Sequence, residues 1–234
     1  MNKSVISHAN LDEKSRLIKS KKIITILEEN TNLNDCNLLE IDTGSGIISS
    51  ELAKHSKTVS SVDINDERLI KSGYFFQKVV DENLPFEDNK FDVVVSNHVI
   101  EHIPNQELHI DEIQRVLKKN GTLYLATPNK FWLIEAHHRL PFIGFLPRKI
   151  SSFILKIIKN KEWDIYPLSF EMIKKLTKRK FEIRNFTIEI IKNPSKYHID
   201  VFKIIHFLLK LIPRRLIILF NFFVPDYIII AKSK

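Results

Sequence analysis

Apolar and polar positions alternate in blocks along this chain, and the blocks predict its secondary structure. Apolar residues recur at helical spacing through residues 11–29, and the polar residues 30–35 end that helix. Short apolar runs then alternate with amphipathic segments of about ten residues, which is typical of parallel strands joined by helices. The predicted strands are 37–41, 58–64, 75–80, 91–96 and 122–126. The predicted helices between them are 45–55, a short helix from Asn65, and 109–118.

This alternation stops after Pro128. Residues 129–161 are rich in aromatic, proline and basic residues and are longer than an ordinary connection, which predicts an insertion after the fifth strand. A helix is predicted at 169–179. Strands at 181–190 and 226–231 are expected to close the sheet as an antiparallel pair.

The whole pattern predicts an α/β fold with a mostly parallel sheet, helices on both faces, and a basic apolar helical segment at about 199–224. We expect a single domain, 1–234, with its core at about 30–190. The composition agrees, since 44% hydrophobic and 27% charged residues suit a chain that buries a full core. Cys36 is the only cysteine, which excludes an internal disulfide framework and a zinc site built mainly of thiolates.

The net charge of +8 is unevenly divided, because residues 1–128 carry −5 and residues 129–234 carry +13. The basic charges are interleaved with long apolar runs, which favours an anionic membrane surface or an anionic lipid-linked partner over nucleic acid. Within residues 202–212, polar positions recur at steps of three and four and leave a narrow polar stripe on an apolar helix. We expect this helix to attach shallowly to a membrane or to form a hydrophobic dimer interface, with core packing as the alternative.

The first residues lack the apolar segment of a secretory signal, and basic residues interrupt the most apolar run before it could span a bilayer. We therefore expect a cytoplasmic protein that is peripheral on the inner face of the membrane. The sequence leaves the oligomeric state open.

One turn concentrates the scarce glycines of this chain. Residues 38–46, LLEIDTGSG, contain an apolar strand, the acid Glu40, and two of the five glycines, Gly44 and Gly46. A glycine turn at the carboxyl end of a parallel strand lets a ligand approach the backbone closely. Asp63 comes at the end of the second strand, where a carboxylate can accept hydrogen bonds from ribose hydroxyls.

Four sequence blocks follow one another in an order that resembles class I S-adenosylmethionine-dependent methyltransferases, and especially the subgroup with LPF, FDVV and EH in series. The blocks are LLEIDTGSG, VDIN, DENLPFEDNKFDVVVSNHVIEHIP and RVLKKNGTLYLATPN. The resemblance is close over residues 38–129 and looser to residue 190. It implies a Rossmann-like, seven-stranded sheet, S-adenosyl-L-methionine as the cofactor, and methyl transfer as the reaction.

The resemblance also implies roles for individual residues around the cofactor. The methionine part would lie near Glu40, Asp42, Gly44 and Gly46. The ribose would be held by Asp63 and the adjoining Ile64, the adenine would be flanked by Asp81 and Glu82, and the sulfonium end would face Asn97 and His98. Asp42 departs from the family, which usually has glycine there, so its carboxylate could crowd or repel the cofactor.

His98, Glu101 and His102 are spaced to share one face if their segment is helical. Such a set can supply a general base, bind a divalent metal, or brace the loop after the fourth strand. We take His98 and His102 as the candidate catalytic bases and assign no metal. The resemblance also implies that the insertion covers the acceptor with apolar, hydrogen-bonding and basic side chains, the alternative being a lid that only packs on the sheet. These side chains are Trp132, His137, His138, Arg139, Phe142 and Phe145.

The function predicted from these residues is S-adenosylmethionine-dependent O-methylation of a lipid-linked, glycan or quinone-like acceptor at a membrane surface. The alternative is a catalytically inactive nucleoside-binding or interaction module with the same fold, in which Asp42 spoils the pocket. A nicotinamide-type Rossmann protein is disfavoured, because the glycine spacing is wrong and the LPF to EH series has no place in it.

Overall fold

The structure is a computed structural model that describes residues 12–200, 211–219 and 223–234. It contains one seven-stranded sheet in the order β3-β2-β1-β4-β5-β7-β6. The strands are β1 Asn37–Ile41, β2 Thr58–Asp63, β3 Phe75–Lys78, β4 Phe91–Asn97, β5 Leu117–Pro128, β6 Phe181–Asn185 and β7 Asp226–Ser233. Strands β1 to β5 are parallel, and β7 lies antiparallel between β5 and β6. The predicted Rossmann-like sheet and its antiparallel closing pair are confirmed.

Seven α-helices accompany the sheet in the described part of the chain. They are α1 Glu13–Glu28, α2 Ile47–Ala53, α3 Gln106–Val116, α4 Arg148–Lys159, α5 Phe170–Thr177, α6 Thr187–Lys192 and α7 Arg214–Leu219. Helix α1 begins where the sequence predicted, because the Asp12 carboxylate accepts a hydrogen bond from the Ser15 N–H at 2.9 Å. None of the helices in residues 12–200, 211–219 and 223–234 is long and apolar enough to cross a membrane.

The core lies on both faces of the sheet, as alternation along its buried strands requires. Leu38 on β1 belongs to a cluster with α1, α2 and α6, whereas Leu39 belongs to a cluster with α3 and α5. Because the helices are divided between the two faces, the carboxyl edge of the parallel strands is left for loops. The chain has its candidate site at that edge.

Several predicted elements differ from the structure, among them the strand expected at 122–126, which is the longer β5. The short helix expected from Asn65 is wrong, since the chain between β2 and β3 is irregular and folds over the glycine turn. The strand expected at 181–190 ends at Asn185, because the Asn185 carboxamide accepts the Thr187 N–H at 3.1 Å and α6 starts there. The helix expected at 109–118 ends at Val116, and β5 begins at once.

The insertion after β5 forms a small unit of its own. It includes α4 and a single 3₁₀ turn, Ile143–Phe145, and it packs around a minor core of Ile143, Leu155, Trp163 and Ile165. Within the predicted segment 199–224, a short helix, α7, follows Pro213. The amphipathic helix predicted at 202–212 lies almost wholly outside the described residues, so its membrane attachment stays a prediction. That the chain forms a single domain also stays a prediction.

Candidate active site

A cleft runs along the carboxyl edge of the sheet beside β1, β2, β3 and β4. Because these strands are parallel neighbours, the residues that follow each of them meet at the same edge. The predicted site residues that line the cleft are Asp42, Asp63, Ile64, Asp81, Glu82, His98 and His102. The remaining predicted site residues, which are not among its lining, are Glu40, Gly44, Gly46 and Asn97.

Asp63 ties the end of β2 to the glycine turn. One carboxylate oxygen, Oδ2, accepts the Gly44 N–H at 2.8 Å, and Oδ1 accepts the Asn65 N–H at 2.9 Å. The side chain is 8% exposed and still reaches the cleft. Asp63 therefore holds the turn together and also presents acceptor capacity to a ligand, since each carboxylate oxygen has two lone pairs.

The glycine turn is covered by the chain's own residues. Gly46 has a left-handed φ of 77° at the start of α2, and a Cβ there would lie 2.2 Å from both the Ile70 carbonyl oxygen and the Tyr74 hydroxyl. The Ser45 carbonyl accepts the Ile70 N–H at 3.1 Å. The close approach that the sequence predicted for a ligand at Gly46 is thus made by the segment before β3. Contact between Gly46 and a cofactor stays a prediction.

Asp42 occupies a backbone position that explains why glycine is usual there. Its φ is 71°, in the left-handed region that aspartate tolerates better than most residues, and its N–H donates to the Val62 carbonyl at 2.9 Å. Enclosure by the cleft walls and the neighbouring Asp63 carboxylate raise the pKa of Asp42. The raised pKa makes Asp42 less negatively charged near neutral pH, so it repels a ligand carboxylate less than a fully ionised aspartate would.

Glu40 lies behind the cleft, inside β1. It is 2% exposed and accepts a short hydrogen bond from the Ser49 hydroxyl on α2. Burial raises the pKa of Glu40 to about 8, so the isolated protein holds this carboxyl protonated at neutral pH. A cation placed nearby would favour its ionised form.

His98 and Glu101 form a pair beside the cleft, although the helical segment that the sequence assumed is absent. His98 has a left-handed φ of 61°, and only Ile100–His102 form a turn of 3₁₀ helix. The strained His98 backbone is held by its N–H, which donates to the Ala126 carbonyl at 2.8 Å. Its Nδ1 lies 3.4 Å from Glu101 Oε1. Nε2 is therefore the nitrogen left to take a proton from a substrate.

Glu101 is buried, and its two neighbouring histidines favour its carboxylate form. Burial by itself would raise the pKa of Glu101, but His98 and His102 outweigh that effect and lower it. The Thr127 hydroxyl donates to Glu101 Oε2 at 3.1 Å, which fixes the carboxylate from the β5 side. A carboxylate fixed at this distance can orient the imidazole ring of His98.

Comparison with known proteins identifies the fold and the family. Residues 39–125 match the family model for a methyltransferase domain. Together with the relatives and the shared fold, this match supports a class I S-adenosylmethionine-dependent methyltransferase. The matched region of this methyltransferase runs from β1 into β5 and contains every residue predicted for the cofactor and the catalytic base, whereas the residues predicted to cover the acceptor follow it in the chain.

Relatives and solved structures agree with this assignment. The chain is 24% identical over 204 residues to a ubiquinone biosynthesis O-methyltransferase of Pelagibacter ubique. The aligned region covers 81% of this chain and 82% of the relative. It is 27% identical to the protein of the same name from Sodalis glossinidius, over 58% of this chain and 60% of the relative. The S-adenosylmethionine-dependent methyltransferase of Mesorhizobium loti shares the fold, with a TM-score of 0.58 and 11% identity. The match covers 91% of this chain and 97% of that one.

The acidic and apolar residues that line the cleft suit S-adenosylmethionine, the cofactor of this methyltransferase family. Five acids line it, Asp42, Asp63, Glu67, Asp81 and Glu82, and no lysine or arginine is among the described residues that line it. S-adenosylmethionine carries a sulfonium and an ammonium cation, which this charge distribution attracts, whereas the pyrophosphate of a dinucleotide would be repelled. Ile64, Val79, Leu84, Val99 and Ile103 add apolar surface that an adenine ring can cover.

One group of described residues has metal-binding chemistry. Ligand atoms of Glu101, His102 and His137 lie within 4.8 Å of one another, and the rings of His102 and His137 meet edge to face at 4.7 Å. His137 comes from the insertion and its Nε2 lies 3.8 Å from Glu101 Oε1. The same three residues can hold a divalent cation or, without one, support His98 through Glu101.

Two residues near the site were not singled out from the sequence. His109 on α3 lines the cleft, lies 3.2 Å from the Ser96 hydroxyl, and has its pKa lowered to about 4 by burial, so it is neutral at pH 7. Arg16 on α1 is buried, and its charge acts on both Glu40 and Asp42. A sequence signal existed for Arg16, because it lies four and seven residues before the buried Ser20 and Ile23 and so shares their face.

Proposed function

We propose that this methyltransferase methylates a hydroxyl oxygen of a quinone-like phenolic acceptor, with His98 as the general base. The His98–Glu101 pair carries the proposal, because a hydroxyl acceptor must lose a proton and an imidazole beside a buried carboxylate is suited to take it. The names of the Pelagibacter and Sodalis relatives support the acceptor class. Trp132 and His137, which border a smaller hollow next to Glu101, offer aromatic and polar surface for such a ring.

The roles in the cleft follow from its chemistry. Asp63 accepts hydrogen bonds from the ribose hydroxyls, and Glu40 and Asp42 favour the cationic methionine end. S-adenosylmethionine, when bound, supplies a methyl group that is already activated on sulfur. The protein's task is therefore to align the acceptor oxygen, and His98 Nε2 removes the hydroxyl proton while Glu101 steadies the resulting imidazolium.

Calorimetry and steady-state kinetics test the proposal together. We expect wild-type protein to bind S-adenosylmethionine and to methylate a catechol that carries a short prenyl chain. His98→Gln should lower kcat by roughly 10²-fold or more while the Kd for the cofactor changes less than about twofold. His55→Gln is the matched control, because His55 is exposed and pairs with Glu28 far from the cleft.

Three results would contradict the proposal. Equal kcat in His98→Gln and wild type would show that His98 is not the general base. Transfer to a glycan or lipid-linked hydroxyl, with none to the catechol, would change the acceptor class. Cofactor binding without transfer to any of these probes would favour the inactive nucleoside-binding module.

A further inference from the structure

Helix α4 of the insertion has one face fixed to the protein and another with no covering among the described residues. Its fixed face carries Ser151 and Leu155, both fully buried. The Ser151 hydroxyl donates to the Ile143 carbonyl at 2.9 Å, and Leu155 packs in the minor core with Trp163. Arg148, at the start of the helix, donates to the Trp163 carbonyl at 2.9 Å. The helix is thus held in a defined orientation.

The opposite face is apolar and exposed. Ile150, Phe153 and Ile157 share it at helical spacing and are 47%, 66% and 67% exposed. Phe142, in the turn that leads to α4, is 57% exposed and has a left-handed φ of 58°, a strained conformation for an aromatic residue. A rigid helix that displays several large apolar side chains in one row is typical of an interaction surface.

The charges around this face determine what fits it. Lys149 and Lys156 are exposed, seven residues apart, and follow the edge of the apolar row. Residues 148–161 contain four lysines, one arginine and no acid. A second copy of the chain seated on this face would bring lysines against lysines, which costs free energy. An anionic lipid surface satisfies both the apolar row and the positive edge.

We propose that α4 docks the protein on an anionic bilayer, with Phe153 and Ile157 below the headgroups and Lys149 and Lys156 among them. The helix has 12 residues, about 18 Å at 1.5 Å per residue, so it lies in the interface and does not span it. His137 belongs to the same insertion, so docking would place the acceptor side of the site at the membrane. This last consequence rests on the proposed function, whereas docking itself needs neither cofactor nor acceptor.

Vesicle sedimentation of the full chain without cofactor tests the docking. We expect binding to vesicles of equal phosphatidylglycerol and phosphatidylcholine, and little binding to phosphatidylcholine alone. Phe153→Ser with Ile157→Ser should weaken binding about tenfold or more, because the inserted apolar area is lost. Lys149→Gln with Lys156→Gln should weaken it by about fivefold per lysine and reduce its salt dependence.

Helix α1 offers matched controls. Lys14 and Lys21 are also exposed and seven residues apart, and Ile18 between them is 41% exposed. Lys14→Gln with Lys21→Gln, and Ile18→Ser, should leave vesicle binding unchanged. Retained S-adenosylmethionine binding in each α4 variant shows that the variant is folded.

Three outcomes overturn the docking proposal while leaving the methyltransferase proposal intact. The first is full recovery of wild-type protein in the supernatant at low salt. The second is equal loss of binding in the α1 and α4 variants, which would indicate only the overall positive charge. The third is a wild-type dimer in analytical ultracentrifugation that Phe153→Ser dissociates, which would make this face a contact between copies.

Discussion

Replacement of Asp63 by asparagine is a direct test of how the cleft is built. The substitution keeps the shape of the side chain but changes one acceptor oxygen into a donor. Both carboxylate oxygens accept backbone N–H groups, from Gly44 at 2.8 Å and Asn65 at 2.9 Å. In either orientation of the new side chain, its NH₂ group faces one of these two backbone N–H groups, so one hydrogen bond is lost. A buried hydrogen bond to a charged group contributes about 1.5–3 kcal/mol, so we expect Asp63→Asn to destabilise the fold by this amount.

Thermal unfolding measures the loss. For a chain of this length, 1 kcal/mol corresponds to about 2–4 °C in Tm, so the predicted decrease is roughly 3–12 °C. The Kd for S-adenosylmethionine should rise by about tenfold or more, because the ribose loses a carboxylate acceptor. Asp81→Asn is the control for the Tm measurement, since Asp81 is exposed at the same edge and pairs only locally with Asn83 in the described contacts. A change in Tm below about 1 °C for Asp63→Asn would refute the assigned role of Asp63 in the turn.

Two further predictions concern pH and metal. Burial raises the pKa of Glu40 from 4.5 to about 8, so the folded protein keeps a proton that the unfolded chain has released; the free energy of unfolding should therefore fall as pH rises across that interval. Glu40→Gln should remove this part of the pH dependence of the free energy of unfolding, as measured by urea unfolding at several pH values. An equal pH dependence in the variant and the wild type would contradict the prediction. If His98 acts as a base without metal, a chelator should leave kcat unchanged; loss of activity that Mn²⁺ or Zn²⁺ restores would instead assign Glu101, His102 and His137 as ligands.

Much of the sheet could be predicted from the sequence because its signals are local. Apolar runs such as Phe91–Asn97 are buried on both faces of a parallel sheet and differ sharply from the polar turns around them. Several positions that line the cleft could also be named, since Asp63 ends one strand, His98 directly follows another, and parallel strands end at one edge. The order of strands and polar residues along the chain was sufficient to predict the sheet and these cleft positions.

Other features depend on contacts between residues far apart in the chain, and only the tertiary structure decided them. The cover over Gly46 comes from Ile70 and Tyr74, and no periodic pattern indicates where an irregular segment will fold back. His137 reaches Glu101 across 36 positions of sequence, because the insertion turns back onto the carboxyl edge. The exposed row on α4 was hidden for the same reason, since an amphipathic pattern does not indicate which of its faces the protein will cover. Sequence determines what each segment tends to form, whereas long-range packing determines which groups meet.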